Sequence, residues 1–391
     1  MLPGAGDFGI DARWSNQRPP AAEEERVVAV QNAANTTARA FFAEINKTFG
    51  AAWVAKTDYS LSLGGAHGPT FAHTRSILVG QSEPDIVTFD NPAAIDELAA
   101  AGLLSANWRS RLPNNSVPFT TTLVFLVRKG NPAKVRDWSD LVRADVRAIL
   151  PDPRSSSVGQ WLYLAVWADA LERTGGDAGR AREHVRALYR NAASLHSSAN
   201  GAAGAFLRGK AAEGGRKGAV SHVVPAVLVL LESEARARRD AGEIPAEAYE
   251  IVTPPRSLRV DLPVAWLDKN TARHENTRVS ASLLLYLFSP EGQEAAARHH
   301  FRPVDATVAA KVAARFAPVR LVSIDDVFGG WDATRRRFFA PGGELDREYK
   351  TLVTSGDATL DLAPRLPVRR RPGQAAPQAQ SPTLPPTPSE Q

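Results

Sequence analysis

The chain has 391 residues, 43% of them apolar and 23% charged, with a net charge of +5. This is the composition of a globular protein large enough to divide into two lobes. It contains no cysteine, which excludes disulfides, iron–sulfur clusters, thiolate zinc sites and cysteine nucleophiles. The positive charge is diffuse and lacks an aromatic-rich basic motif, so we expect no nucleic-acid partner.

The two ends differ in composition from the body. Residues 1–25 are a polar leader and residues 351–391 a proline-rich tail, and we predict both to be disordered. The leader shows neither the charged start nor the apolar stretch of a secretory signal. No apolar run reaches the roughly 18 residues that a membrane-spanning helix needs. The folded body is therefore expected at about residues 26–350.

Within the body, short apolar runs typical of strands alternate with helical patterns. This alternation predicts an α/β fold with mostly parallel sheets. The predicted pairs are Val27–Val30 before a helix through Phe41 and Phe42, Ile86–Phe89 before Ile95–Leu104, Val146–Leu150 before Trp161–Leu171, and Ala219–Val223 before Ala226–Arg238. A further strand is predicted at Thr121–Val127, where β-branched and large apolar residues end in a Gly-Asn-Pro turn. Asp90 and Asn91 are candidate N-caps for the helix that follows them.

The motifs of common enzyme classes do not occur in the chain. There is no GxGxxG, GxxxxGK[ST], HExxH or GxSxG pattern. His299 and His300 are adjacent and would project about 100° apart on a helix, so they cannot chelate one ion together. His67 and His73 could meet only through tertiary folding. We expect no enzymatic activity, no metal and no cofactor.

Small polar residues follow two of the predicted strands at the start of the next helix. They are Asn35, Thr36 and Thr37 after the first strand, and Ser155, Ser156 and Ser157 after the strand Val146–Leu150. The first NH groups of a helix are unpaired and partly positive, so two such ends facing a cleft would bind an anion. N-capping alone also explains Ser and Thr at these positions.

Several segments resemble the periplasmic sulfate- and thiosulfate-binding proteins, the solute receptors of ABC importers. The similar segments are INKTF at 45–49, RLPNNSVPFTTTLVFLVRKGNP at 111–132, YLAVWADAL at 163–171, YLFSPEGQEAAA at 286–297, FRPVD at 301–305 and IDDVFGGW at 324–331. The resemblance implies a two-lobed, type II periplasmic binding protein fold with the ligand between the lobes. It also implies a periplasmic location, delivery of the ligand to ABC permease subunits, and a monomer.

The resemblance implies lobe boundaries. Lobe 1 would comprise residues 26–118 and 254–350, including the C-terminal helices, and lobe 2 residues 119–253. The chain would cross between the lobes near Thr121–Val127 and Glu250–Val252.

The ligand contacts of that family can be placed on this sequence one by one. The family's first contact, an Asp, corresponds to Thr36, and its second, a Ser, to Thr70. A Ser-Gly-Gly cluster corresponds to Ser156, Ser157 and Val158, and an Ala to Ala199. The family's indole donor has no Trp in this chain, and its position is predicted at Val224.

These departures leave the ligand open. Backbone NH groups remain available at the substituted positions, but the missing indole removes one hydrogen bond to a charged ligand, worth about 1.5 to 3 kcal/mol. We expect sulfate or thiosulfate. The alternatives are another small anion, such as an organosulfonate, and a degenerate site in a protein that binds a partner instead.

Overall fold

The computed structural model describes residues 27–57, 59–209 and 225–354. The predicted leader, the strand predicted at Ala219–Val223 and most of the predicted tail lie outside these residues. The first four residues of the predicted tail range, 351–354, belong to a helix.

Strands and helices alternate along most of the described chain. The strands are β1 (Val28–Asn35), β2 (Leu61–Gly68), β3 (Ile86–Thr88), β4 (Phe119–Thr121), β5 (Leu123–Arg128), β6 (Ala148–Pro151), β7 (Ala192–His196), β8 (Val227–Leu231), β9 (Tyr249–Val252), β10 (Arg256–Leu258), β11 (Val260–Leu262), β12 (Val264–Trp266), β13 (Arg302–Pro303) and β14 (Arg320–Val322). The α-helices are α1 (Arg39–Thr57), α2 (Thr70–Leu78), α3 (Pro92–Ala100), α4 (Pro113–Ser116), α5 (Ser157–Arg173), α6 (Ala178–Asn191), α7 (Ala199–Leu207), α8 (Glu232–Asp240), α9 (Asp268–Arg273), α10 (Thr277–Tyr286), α11 (Pro290–Arg298), α12 (Ala306–Val312), α13 (Ile324–Phe328), α14 (Trp331–Thr334) and α15 (Glu344–Thr354).

The first sheet has the strand order β12-β3-β1-β2. β1 pairs in parallel with both β2 and β3, and β12 runs antiparallel to β3. Its core contains Phe41, Phe42 and Ile45 from one face of α1, which is why this helix packs along the sheet. A second cluster, with Ile95 and Leu98 of α3, covers the opposite face.

The second sheet has the strand order β7-β6-β8-β5-β9. β6 is parallel to β7 and β8, whereas β5 is antiparallel to β8 and β9. Both large sheets are therefore mixed, and the prediction of mostly parallel sheets is wrong in this respect. Strand β5 was predicted from a buried apolar run, and all but its last residue are buried.

The helix predicted at Ala226–Arg238 is wrong in its first half. Val227–Leu231 form strand β8, and only the following residues form a helix, α8. The five residues of β8 are all buried because they lie between β5 and β6 with apolar clusters on both faces. A continuous apolar run is compatible with a helix or with a central strand, and only the neighbouring strands decide between them.

The strand predicted at Thr121–Val127 is divided between two sheets. β4 pairs with β11 and β13 in a three-stranded sheet, and β5 begins two residues later in the second large sheet. Thr122 lies between them, and its hydroxyl donates to the carbonyl of Leu258, 2.9 Å away. The chain therefore passes from one sheet to another at this point.

The C-terminal helices, α13, α14 and α15, pack on the second sheet through α5 and α6. Phe338 and Tyr349 share a buried cluster with Tyr163 of α5 and Tyr189 of α6, and Arg182 of α6 forms an ion pair with Glu344 of α15. This packing differs from the prediction that residues 254–350 complete the first lobe. The aromatic side chains of α5 and α6 provide the apolar surface that these helices cover.

Candidate functional site

A cavity of about 40 Å³ lies where the carboxyl ends of strands from both large sheets meet. This volume is a few times what one water molecule requires. The lining residues follow β1, β2, β3, β6, β7 and β8, the usual place for a ligand in an α/β protein. They are Asn35, Thr36, Thr37, Gly68, Pro69, Thr70, Asp90, Ser156, Ser157, Val158, Ser198, Ala199, Asn200, Leu231 and Glu234.

Four helices of at least nine residues begin at the cavity: α2, α5, α7 and α8, the last with Glu232 and Glu234 in its first turn. Ser156 caps α5 by accepting from the NH of Gly159, and Ser198 caps α7 by accepting from the NH of Gly201. Such a cap satisfies only one of the unpaired NH groups in the first turn. The partial positive charge of each helix start thus acts on the cavity. None of the Lys, Arg or His side chains in the described part of the chain is among the lining residues.

Six of the seven residues that the sequence predicts as ligand contacts line this one cavity. They are Thr36, Thr70, Ser156, Ser157, Val158 and Ala199. Their convergence is a property of the fold, while their contact with a ligand stays a prediction. Val224, the seventh, lies outside the described residues.

Strand β8 contributes its last residue, Leu231, to the cavity. The family's indole position was predicted directly after a strand at Ala219–Val223, which lies outside the described residues. The next described strand along the chain is β8, which ends at the cavity. Its last residue, Leu231, is therefore a second candidate for the indole position. Leu231 is 1% exposed and carries no hydrogen-bond donor in its side chain.

Asn35 is a polar group at the cavity that the sequence treated only as part of a helix start. Its side-chain oxygen accepts from the NH of Ala38 at 3.0 Å and from the hydroxyl of Thr37 at 2.8 Å. Its Nδ2 is buried and has no hydrogen-bond partner within the described chain. A buried amide donor without a partner is costly, so it is suited to an acceptor that arrives with a ligand.

Asp90 and Glu234 bring two carboxyl groups to the same cavity. The N-cap of α3 is Asn91, not Asp90. The hydroxyl of Thr70 instead donates to Oδ1 of Asp90 at 2.6 Å. That hydroxyl hydrogen is therefore committed to Asp90 and not to a ligand, which differs from the role that the resemblance implies for Thr70.

Burial raises the pKa of Asp90, against the opposing effect of hydrogen bonds from Thr70 and Ser157. Burial also raises the pKa of Glu234, but Arg238 lies 2.9 Å from its Oε1 and partly offsets this effect. The two carboxyl groups therefore differ in one respect. Glu234 has a cationic partner, and Asp90 has none within the described chain.

Contacts cross from one large sheet to the other beside the cavity. The indole NH of Trp161, on α5, donates to the carbonyl of Asp90 at 2.6 Å. Nδ2 of Asn91 donates to Oε1 of Gln160 at 3.0 Å. Further away, Arg302 forms an ion pair with the fully buried Glu232 at 2.7 Å. The cleft between the sheets is closed by these contacts.

Within the described ranges, the structure shows no group of three or more His, Cys, Asp or Glu residues that could hold a metal ion. His67 and His73 lie near each other, and burial lowers the pKa of both imidazoles. None of the helices seen between residues 27 and 354 is both long and apolar enough to cross a bilayer.

Comparison with known proteins extends over most of the chain. Residues 30–302 match the profile of bacterial extracellular solute-binding proteins. The sulfate-binding protein of Escherichia coli K12 is 36% identical over 323 residues, covering 83% of this chain and 93% of that protein. The thiosulfate-binding protein of the same organism is 33% identical over 318 residues, covering 81% and 89%.

Among solved structures, the sulfate-binding protein SubI from Mycobacterium tuberculosis matches with a TM-score of 0.68 and 25% sequence identity, covering 80% of this chain and 99% of that protein. The match extends over both sheets, so the two-lobed α/β fold with a cleft between the lobes is the fold of this chain. The chain therefore belongs to the family of bacterial extracellular solute-binding proteins, and within it to the sulfate- and thiosulfate-binding proteins.

Proposed function

We propose that this protein captures sulfate or thiosulfate in the cavity between its two lobes and delivers the anion to the permease of an ABC importer. The observation that carries the proposal is the convergence of the starts of α2, α5 and α7 on one cavity that no cationic side chain of the described residues lines. Aligned helix starts stabilise an oxyanion through backbone NH groups and helix dipoles.

Nδ2 of Asn35, which has no partner among the residues that the structure describes, supplies a neutral donor in addition to the backbone. A tetrahedral oxyanion offers four acceptor atoms, and a closed cleft with few waters strengthens each hydrogen bond to it. Chloride is a single acceptor atom with one charge, so it reaches fewer of the donors on different sides of the cavity than four separate oxygens do. The arrangement therefore favours an oxyanion over a halide.

The proposal includes the cellular setting. By analogy with its relatives the protein acts outside the cytoplasm as a monomer, with lobe 1 from residues 26–118 and 254–350 and lobe 2 from 119–253, except that the C-terminal helices belong with lobe 2. It makes and breaks no covalent bond. Lobe closure over the anion would present the permease with a surface that the open form lacks.

The proposal is tested by calorimetric titration of the full chain with sulfate, thiosulfate, molybdate and taurine in buffer free of sulfate and phosphate. We expect binding of sulfate or thiosulfate, and a rise in melting temperature that chloride at equal ionic strength does not produce, because a ligand stabilises the state that binds it. Binding of taurine alone would indicate an organosulfonate receptor. If none of the four anions binds, the proposal is wrong.

A pair of capping serines separates binding from stability. Ser156→Ala and Ser289→Ala each remove a side chain that accepts from an NH three residues later. Both variants should lose about 1 kcal/mol of stability. Only Ser156 lines the cavity, so only its replacement should weaken anion binding, by about tenfold. Equal affinity in the two variants would remove the start of α5 from the site.

A further inference from the structure

Asp90 places a carboxyl group against the cavity proposed for a doubly charged anion. The residue is 5% exposed, lines the cavity and accepts the hydroxyl hydrogen of Thr70. An ionised carboxylate in this position would repel the ligand and would hold a hydroxyl hydrogen that the ligand could use. A buried carboxylate beside a doubly charged anion therefore requires an explanation if an oxyanion binds in this cavity.

No positive charge offsets Asp90. Among the described residues, no Lys, Arg or His forms an ion pair with it, and its carboxyl group accepts from the hydroxyls of Thr70 and Ser157 and from its own backbone NH. Burial lowers the pKa of the nearest imidazoles, so they are neutral near pH 7. The charged or titratable groups near this end of the sheets include His67 on β2 and His73 on α2, with Arg39 close to His67, and Glu234 with its partner Arg238 on α8, whose charge acts on that of Asp90.

Glu234 differs in this respect. Its carboxylate lies 2.9 Å from Arg238, a cation that it shares with Glu243, so a positive charge adjoins it even without a proton. Of the two carboxyl groups that line the cavity, Asp90 is thus the one whose charge only a proton can remove.

We propose that Asp90 contacts the anion in its carboxylic acid form, so that one proton enters the cavity with each fully ionised oxyanion. This inference rests on the proposed function. The carboxylate of Asp90 takes a proton from solvent, and the resulting O–H donates to a ligand oxygen, while the other carboxyl oxygen continues to accept from Thr70. No other bond changes. Burial, which favours the neutral acid, supports the same direction.

This arrangement makes the affinity for a fully ionised anion depend on pH through Asp90. A sulfate ion has no proton of its own near neutral pH, so its binding requires proton uptake and weakens as the pH rises. The loss approaches tenfold in affinity per pH unit once Asp90 is ionised in the ligand-free protein. An amide at position 90 would supply a permanent donor and remove this dependence.

The test is calorimetric titration of the full chain with sodium sulfate between pH 5 and pH 8, each pH in two buffers of different ionisation enthalpy. We expect wild type to take up close to one proton per anion at the upper end of this range, with affinity falling as the pH rises. Asp90→Asn should take up no proton and bind sulfate at pH 8 at least tenfold more tightly than wild type. The control is Asp145→Asn, which changes an exposed carboxylate paired with Arg143 and should behave as wild type.

The outcomes distinguish the inference from the proposed function. Sulfate binding by wild type without proton uptake, or uptake that persists in Asp90→Asn, would overturn the role of Asp90 and leave the proposed function intact. Titration of His67 and His73 would appear equally in both proteins. Failure of both proteins to bind either sulfate or thiosulfate at any pH would overturn both. Binding by Asp90→Asn alone would show that Asp90 blocks the anion in either form, which also contradicts the inference.

Discussion

Single side chains decide the chemistry of this cavity because its lining has no cation within the described residues. Asn35 provides an unpaired amide donor, and Asp90 provides a carboxyl group whose pKa burial raises. An acid with a raised folded-state pKa holds its proton more tightly in the native protein than in the unfolded chain. Ionisation of Asp90 therefore opposes folding.

We expect Asp90→Asn to stabilise the ligand-free protein in a pH-dependent manner. Below the unfolded pKa of about 3.9 both carboxyl and amide are neutral and the two proteins should melt alike. As the pH rises above this value the wild type loses stability relative to the variant, and the difference levels off above the folded-state pKa at about 1 to 3 kcal/mol. Thermal unfolding from pH 3.5 to pH 8 measures it.

The exposed Asp145 provides a contrast, because Arg143 lowers the pKa of its carboxyl. Asp145→Asn should give no gain in stability at pH 8. A constant difference between Asp90→Asn and wild type across the pH range would contradict the titration of Asp90.

At the scale of elements, the site depends on how close a helix start approaches the strand before it. α5 begins directly after the turn that follows β6, and Gly159 lies in its first turn. A Cβ atom at Gly159 would lie 2.7 Å from backbone atoms of Pro151, Asp152 and Pro153. Only glycine permits this approach, which places Ser156, Ser157 and Val158 at the cavity.

Gly159→Ala should therefore displace the start of α5. We expect a loss of about 1 to 3 kcal/mol in stability, because the contacting atoms are backbone and cannot move aside, together with weaker anion binding. The matched control is Gly50→Ala in α1, where nothing lies within 4 Å of the added carbon. That change should stabilise the protein by about 0.4 to 1 kcal/mol. Chemical denaturation measures the stability of both variants, and titration with sulfate measures their affinity. Equal stability and affinity in the two variants would contradict the role given to Gly159.

At the scale of the whole molecule, two sheets with separate cores meet at one cleft. Hydrogen bonds such as that from Trp161 to the carbonyl of Asp90, and the buried ion pair of Arg302 with Glu232, join them. The C-terminal helices add Phe338 to the core of the second sheet, where its ring contacts Tyr163 and Trp167. The chain thus returns to the second sheet after completing the first.

Because the C-terminal helices pack with the second sheet, loss of the Phe338 ring should destabilise that sheet and its helices. Phe338→Ala removes a fully buried ring and should cost about 3 to 5 kcal/mol of stability. Hydrogen exchange followed by mass spectrometry should show faster exchange in α5 and α6, with α1 in the first sheet protected as before. The neighbouring exposed Arg336 changed to Ala is the control. Faster exchange in α1 alone would place the C-terminal helices with the first sheet, as the sequence predicted.

Local features of this protein could be predicted from neighbouring residues in the sequence. The run at 121–127 predicted a buried strand, which the structure has from residue 123, and the polar residues at 35–37 and 155–157 predicted helix starts, because burial and capping depend on neighbouring residues. The six predicted contact residues that line one cavity came from the resemblance to the sulfate- and thiosulfate-binding proteins, because the strands before Thr70 and Ala199, β2 and β7, were not predicted from the local pattern.

Which elements meet depends on the tertiary structure and could not be predicted in the same way. It made Val227–Leu231 a strand by placing neighbours on both sides, divided the run at 121–127 between two sheets, and turned the C-terminal helices onto α5 and α6. It also turned the side chain of Asp90 into the cavity instead of leaving it as a helix cap. Each of these depends on contacts between segments far apart in the chain, and such contacts leave no periodic pattern within either segment.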